Sequence, residues 1–154
     1  MGVDVLRAGA DRKRLERLDR LSTVTPDTAY AVSYTNLGDG GSAYLMVFAV
    51  DSLDHVHWIA PAYLDESSDP SSIRLDHADA PEILPGATVL DSPAEGALRI
   101  VTLVTRVKLS VSLVDKLPQD ERTDARLRAR FHGAEVASFH AELRKAPPGA
   151  PSTP

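Results

Sequence analysis

No cysteine occurs among the 154 residues. That absence removes disulfides, thiolate-ligated zinc, iron–sulfur clusters and thiol nucleophiles together. It leaves the compartment open, because a chain of this length encloses a core without covalent staples in either redox environment. No apolar run approaches the roughly eighteen residues that a membrane-spanning helix needs. Positive charge is not in excess either. The formal net charge of −5 argues against general nucleic-acid binding, which needs a basic surface to displace counterions. Aromatics are few, with one Trp, four Tyr and three Phe. The opening residues Met1–Arg7 lack the charged-then-apolar pattern of a secretion signal. A Met1-Gly2 that runs straight into the strand-like Val3–Leu6 reads as an excised domain, a fragment whose targeting address lay upstream. A full-length chain with this start reads as cytoplasmic.

What is present has the composition of a soluble globular domain, 43% hydrophobic and 25% charged. Between Ala43 and Arg106, apolar runs of strand length are separated by Gly, Pro, Asp and Ser, the mark of buried strands in an all-β domain. Residues 43–50 are apolar on both faces and read as a central strand. Asp51–Asp54 is then the hairpin loop into His55–Ala60. Residues 3–8 form an opening strand. Thr28–Thr35 alternates, with Tyr30, Val32 and Tyr34 on one face. Gly38–Gly41 is a turn, and Ala87–Asp91 and Leu98–Arg106 resume the sheet. The polar stretch between Tyr63 and Glu82 reads as a mobile surface loop with room for one short edge strand.

Three segments test the period more finely. Leu15, Leu18 and Leu21, three apart among charges, predict a helix over Asp11–Ser22, a bent edge strand being the alternative. Val111, Val114 and Leu117 predict a short helix capped by Ser110 and stopped by Pro118. Asp124–Phe131 and Ala137–Lys145 both alternate, and predict a hairpin across Gly133–Glu135. In it Phe131 faces Ala137, Ala129 faces Phe139, Leu127 faces Ala141 and Ala125 faces Leu143. Arg126 then meets Glu142, and Asp124 meets Arg144. A helix over 120–131 is the competing reading.

The pieces Ala43–Asp51 with its following strand to Pro61, Leu84–Asp91, and Leu98–Arg106 with a short helix after it resemble, in that order, the domain of unknown function 4384. The match covers roughly residues 25–117 and departs from the family where Ser52-Leu53-Asp54 replaces a glycine-bearing turn. The resemblance implies a bacterial all-β module, found beyond a membrane-spanning helix in anti-sigma-factor-like or kinase-like proteins. It implies extracytoplasmic recognition and carries no catalytic residue to this chain.

Candidate chemistry is sparse. His55 and His57 share one strand face, and Asp51, Asp54 or His77 can complete a metal set. The plainer reading is a solvent-facing strand face with Val56 and Trp58 turned to the core. Asp65, Glu66 and Asp69 offer carboxylates, but their spacing matches no calcium loop and Pro70 follows directly. Gly38–Gly41 leads into a strand, so it lacks the helix N-terminus of a phosphate cradle. No Gly-x-Ser-x-Gly occurs. Arg99, Arg106 and Lys108 with Arg126, Arg128 and Arg130 suggest a basic stripe across neighbouring strands, or simple edge protection. Trp58, Tyr63, Tyr30, Tyr34 and Tyr44 suit a ligand groove or the core.

The chain is thus expected to be one two-layer antiparallel β-sandwich, immunoglobulin-like, over residues 1–145, with one or two short helices and a disordered Pro-rich tail at 146–154. Function is expected to be non-enzymatic recognition or sensing, without cofactor, of a protein or small envelope ligand, with Tyr63, Asp65, Glu66, Asp69 and Trp58 in the binding surface. A metal-dependent hydrolase using His55 and His57, or a module self-associating through an edge strand into a homodimer, are the alternatives.

Overall fold

The strand β5 (Ala43–Val50) is apolar on both faces because both faces are covered. In the computed structural model, which describes residues 1–8, 14–19, 22–38, 41–63, 65 and 67–145, β5 lies inside the larger of two sheets. Its neighbours there are β10 (Gly96–Thr105) on one side and β6 (Val56–Ala60) with β7 (Ile73–Leu75) on the other. Beyond β10 come β11 (Glu135–Leu143) and the two-residue parallel strand β3 (Thr23–Val24). The smaller sheet runs β2 (Leu15–Arg17), β1 (Gly2–Ala8), β4 (Ala29–Asn36), β8 (Ala78–Ile83), with β9 (Thr88–Val89) also on β4. The two sheets pack together as an all-β sandwich. Residues 146–154, the expected tail, lie outside the described part.

Alternation sorts the side chains into two cores. Ala43, Leu45, Val47 and Ala49 of β5, with Leu98 and Ile100 of β10, face Val5, Tyr30, Val32 and Tyr34 of the smaller sheet. Met46 and Phe48, with Val101 and Leu103, face the other way. There a helical layer meets them: α1 (Val111–Asp115), a 3-10 turn at Gln119–Arg122, and α2 (Asp124–Arg130). Val111, Val114, Leu117 and Leu127 close this second core. Burying a side chain such as Phe48 contributes about 1.5–3 kcal/mol.

The expected hairpin over 124–145 is half right. Residues 137–143 do form a strand with Phe139, Ala141 and Leu143 turned inward, but their partners are Ile100, Leu98 and Gly96 of β10. Residues 124–130 are helical. Only Leu127 of that segment is buried, while Ala125 and Ala129 are exposed, so a period of two had nothing to bury. Phe131, four residues on, packs against the same core as Leu127. The helix is supported from both ends. Thr123 accepts from the Arg126 N–H at 3.4 Å, Asp124 sits in the first turn, and Arg128 and Arg130 sit in the last. Gly133, at φ +77°, then turns the chain into β11 in a backbone conformation that suits glycine.

Of the helix expected over 11–22, the described residues 14–19 hold no helical turn, and the edge-strand alternative is found instead. Residues 15–17 form β2, paired with β1, and charge pairs tie the ribbon: Arg7 to Glu16 at 3.1 Å and Arg17 to Asp4 at 2.8 Å. Leu18 is buried and Leu15 exposed; Leu21 lies outside the described residues. The polar 62–82 stretch carries two strands instead of one, because β7 joins the larger sheet and β8 the smaller. Pro81 and the charged Asp79 and Glu82 mark β8 as a guarded edge.

Candidate functional site

The hairpin between β5 and β6 is organised by Asp51, whose side chain is buried. Oδ1 accepts the N–H groups of Leu53 at 2.9 Å and His55 at 3.0 Å. Oδ2 accepts the Ala94 N–H at 3.0 Å and lies 2.9 Å from His57 Nε2. Burial works to raise the pKa of this carboxyl. The hydrogen bonds from Ala94, His57, His55 and Leu53 outweigh it and hold the group well below the usual carboxylate range. One carboxylate thereby joins the β5–β6 turn to the loop before β10. Gly96 makes that approach possible: at φ +111°, a Cβ there would sit 3.3 Å from Ser52 Cβ.

The two histidines lie on one side, at the same Asp51 oxygen, but only His55 faces solvent as the plainer reading expected. His57 is nearly buried against Asp51, with its side chain 10% exposed, whereas His55 precedes β6 and is 66% exposed, 3.5 Å from the same oxygen. Val56 is half-buried and Trp58 buried, as their alternation predicts. His77 pairs with Asp79 at 3.0 Å, and the main-chain carbonyl of Asp54 accepts from Arg122 at 3.4 Å. Among the described residues, no three His, Asp or Glu side chains converge in a way that could hold a metal ion.

A cleft of about 450 Å3 lies at the β6 edge of the larger sheet. His55, His57, Trp58, Tyr63, Asp91 and Asp115 line it, together with the Thr88–Ser92 segment. Trp58 is fixed from two sides. Its ring lies 5.2 Å from Phe48 at a tilt of 46°, and its indole N–H donates to Asp115 Oδ1 at 2.9 Å. α1 thus supplies both the cover of the second core and one wall of the cleft. Ser92, at φ +46°, bends the opposite wall and donates its hydroxyl to Asp91 at 3.1 Å.

The structure divides the residues expected to bind. Trp58 and Tyr63 come together in this cleft, and both histidines join them. Asp65 and Asp69 serve local structure. Asp65 accepts from the Ser67 N–H at 2.8 Å and hydroxyl at 2.7 Å, which lowers its pKa. Asp69 accepts from the Ser112 hydroxyl at 2.6 Å and N–H at 2.9 Å, which lowers its pKa. It takes the capping role expected of Ser110, whose side chain makes no cap hydrogen bond. Glu66 lies outside the described residues. Asp91, Ser92 and Asp115 were missed; they stand 33 or more positions along the chain from Trp58, and only the fold makes them neighbours.

The basic stripe across neighbouring strands does not form, because Arg126, Arg128 and Arg130 ride on α2. Arg99 instead stands beside His140 on adjacent strands, donates to Arg122 O at 2.9 Å and lies 3.4 Å from Asp124. Arg99, Arg122 and His140 line a second cleft of about 440 Å3, together with Asp54. Among the described residues, no helix is long and apolar enough to cross a membrane. No family model matches the chain, and no curated protein matches it.

Proposed function

We propose that this chain is a non-enzymatic recognition or sensory domain, presented outside the cytoplasm by a larger, envelope-associated bacterial protein. Its binding surface is the cleft at the β6 edge. The observation that carries this reading is the convergence of Trp58, Tyr63 and His55 with the Thr88–Ser92 segment in one concavity of about 450 Å3, a size that suits a small ligand or a peptide side chain. The buried group beside it that looks chemically equipped is already engaged. Both oxygens of Asp51 hold the hairpin and the 92–96 loop in place, so the Asp51–His57 pair reads as a brace for the cleft wall. The pattern similarity to extracytoplasmic all-β modules points the same way.

NMR titration of the labelled protein with a panel of cell-envelope fragments tests this. Resonances of the Trp58 indole, Tyr63 and residues 88–92 are expected to move together, and Tyr63→Ala to weaken the binding by about tenfold, the loss of one well-packed aromatic contact. Silence across the panel, or shifts confined to another face, overturns the assignment.

A further inference from the structure

An antiparallel sheet with one wet face normally turns polar side chains to the water. The outer face of the smaller sheet breaks that pattern. Its register sets Leu6 of β1 beside Ala31 of β4, Leu15 of β2 beside Ala8, and Ile83 of β8 beside Ser33. Val89 of β9 stands beside Ala29. By alternation these side chains lie on the opposite side of the sheet from Val5, Tyr30, Val32 and Tyr34, which fill the core. Leu6, Leu15, Ile83 and Val89 accordingly belong to neither core. Leu15, Ile83 and Val89 are 41%, 51% and 49% exposed, and three large apolar side chains gathered on one face mark a contact surface.

The face also has relief and balanced charge. Along β4, Ala31 and Ser33 are small and buried, which makes a trough between the larger side chains of β1 and β2 on one flank and those of β8 and β9 on the other. Asp4 and Arg17 share this face with Leu6 and pair at 2.8 Å. Their charges cancel, on a chain whose net charge is −5. Two copies of such a chain repel one another in general, and a locally neutral apolar face is where they can meet.

We propose that this face binds the same face of a second copy, in a two-fold dimer in which the β8–β9 ridge of each copy seats in the β4 trough of the other. A contact of this kind is self-complementary, each copy giving the same patch. Strand-to-strand addition at the neighbouring edge is opposed by Pro81 and the charges of β8. With strands about 4.8 Å apart and about 3.3 Å of rise per residue, a four-stranded face has a footprint of roughly 400–500 Å2. Two copies then bury about 1,000 Å2, the low end for a specific interface, so the dimer is reversible and of micromolar affinity. The face shares Val89 alone with the Trp58 cleft and stands whether or not that cleft is a recognition surface.

Sedimentation equilibrium of the protein from about 1 μM to about 1 mM tests this, together with amide shifts followed over the same range. The mass is expected to rise from one chain to two, with shifts confined to residues 4–8, 15–17, 29–35, 83 and 89. Ile83→Lys, at an exposed position, is expected to weaken the dimer at least about tenfold. Leu113→Lys, equally exposed but on α1, is expected to leave it unchanged. Asp4→Lys leaves two positive charges on the face and Arg17→Glu two negative ones. Each of these variants alone is expected to stay monomeric, and a one-to-one mixture of them to pair. A monomer at every concentration, undiminished association of Ile83→Lys, shifts on another face, or a mixture that stays monomeric would each overturn the proposal.

Discussion

The larger sheet is buried on two faces and the smaller on one, and the contrast explains most of what each contributes. Between the sheets, the core is assembled by strands and the residues that directly follow them, from Leu98, Ile100 and Val32 to Leu18 and Leu90, with no helix taking part. On the far side of the larger sheet, Phe48, Val101 and Leu103 depend on a cover of short helices. Helices of five and seven residues have little stability of their own. They exist because the sheet beneath them is apolar, and the sheet face stays dry because they are there. The candidate recognition cleft sits at this junction: Trp58 comes from the sheet and Asp115 from the cover.

Cavity-forming substitutions break the comparison most strongly. Leu98→Ala and Leu127→Ala each remove a fully buried side chain and are expected to cost about 2–5 kcal/mol. Hydrogen exchange should separate them. Leu98→Ala lowers protection throughout both sheets, whereas Leu127→Ala exposes residues 119–131 first and leaves the β1–β4 pairing protected. Equal loss everywhere in both variants would make the helical cover part of one indivisible unit.

Asp51→Ala comes next. It strands the donors now paired with the carboxylate and is expected to cost about 3 kcal/mol at neutral pH. The acid arm of the stability curve carries the same information. The folded carboxyl titrates below its unfolded value of about 3.9, so its contribution is complete above that value and is lost as pH falls through the folded one. Chemical denaturation from pH 7 to pH 2 should therefore show a shallower acid loss in Asp51→Ala than in the wild type. Parallel curves would contradict the assignment.

The smallest effect is expected at Asp69. Removing this cap from α1 with Asp69→Ala should lower the melting temperature by a few degrees and loosen the amides of residues 111–115, with the sheets unchanged. The Trp58 emission then reports whether Asp115 has moved, since this is the only tryptophan.

The sheets were legible because burial on a pleated strand leaves a plain mark. Residues 43–50 are apolar at every position, Leu98, Ile100, Val101, Leu103 and Val104 put apolar side chains on both faces of their strand, and the inward set Phe139, Ala141 and Leu143 was correct even with the wrong partner strand. The segment 124–130 misled because Ala125, Leu127 and Ala129 alternate in size. Alanine fits either period, so the deciding signals were Thr123 at the cap and the charges at the two ends. β2 misled in the opposite direction: the helical spacing of Leu15 and Leu18 yielded to a cross-strand ribbon tied by ion pairs. Of the site, Trp58, Tyr63 and the histidines could be chosen from residue type and position. Asp91 and Asp115 could not, because their role depends on a loop and a helix meeting across the edge of a sheet.

The state of residues 124–131 tests the two-sided burial of the larger sheet most directly. Backbone chemical shifts in solution should be helical over 124–130, with nuclear Overhauser contacts from the Leu127 methyls to Val101, Leu103 or Val136. Extended shifts there, with cross-strand contacts from 124–131 to 137–145, would contradict it.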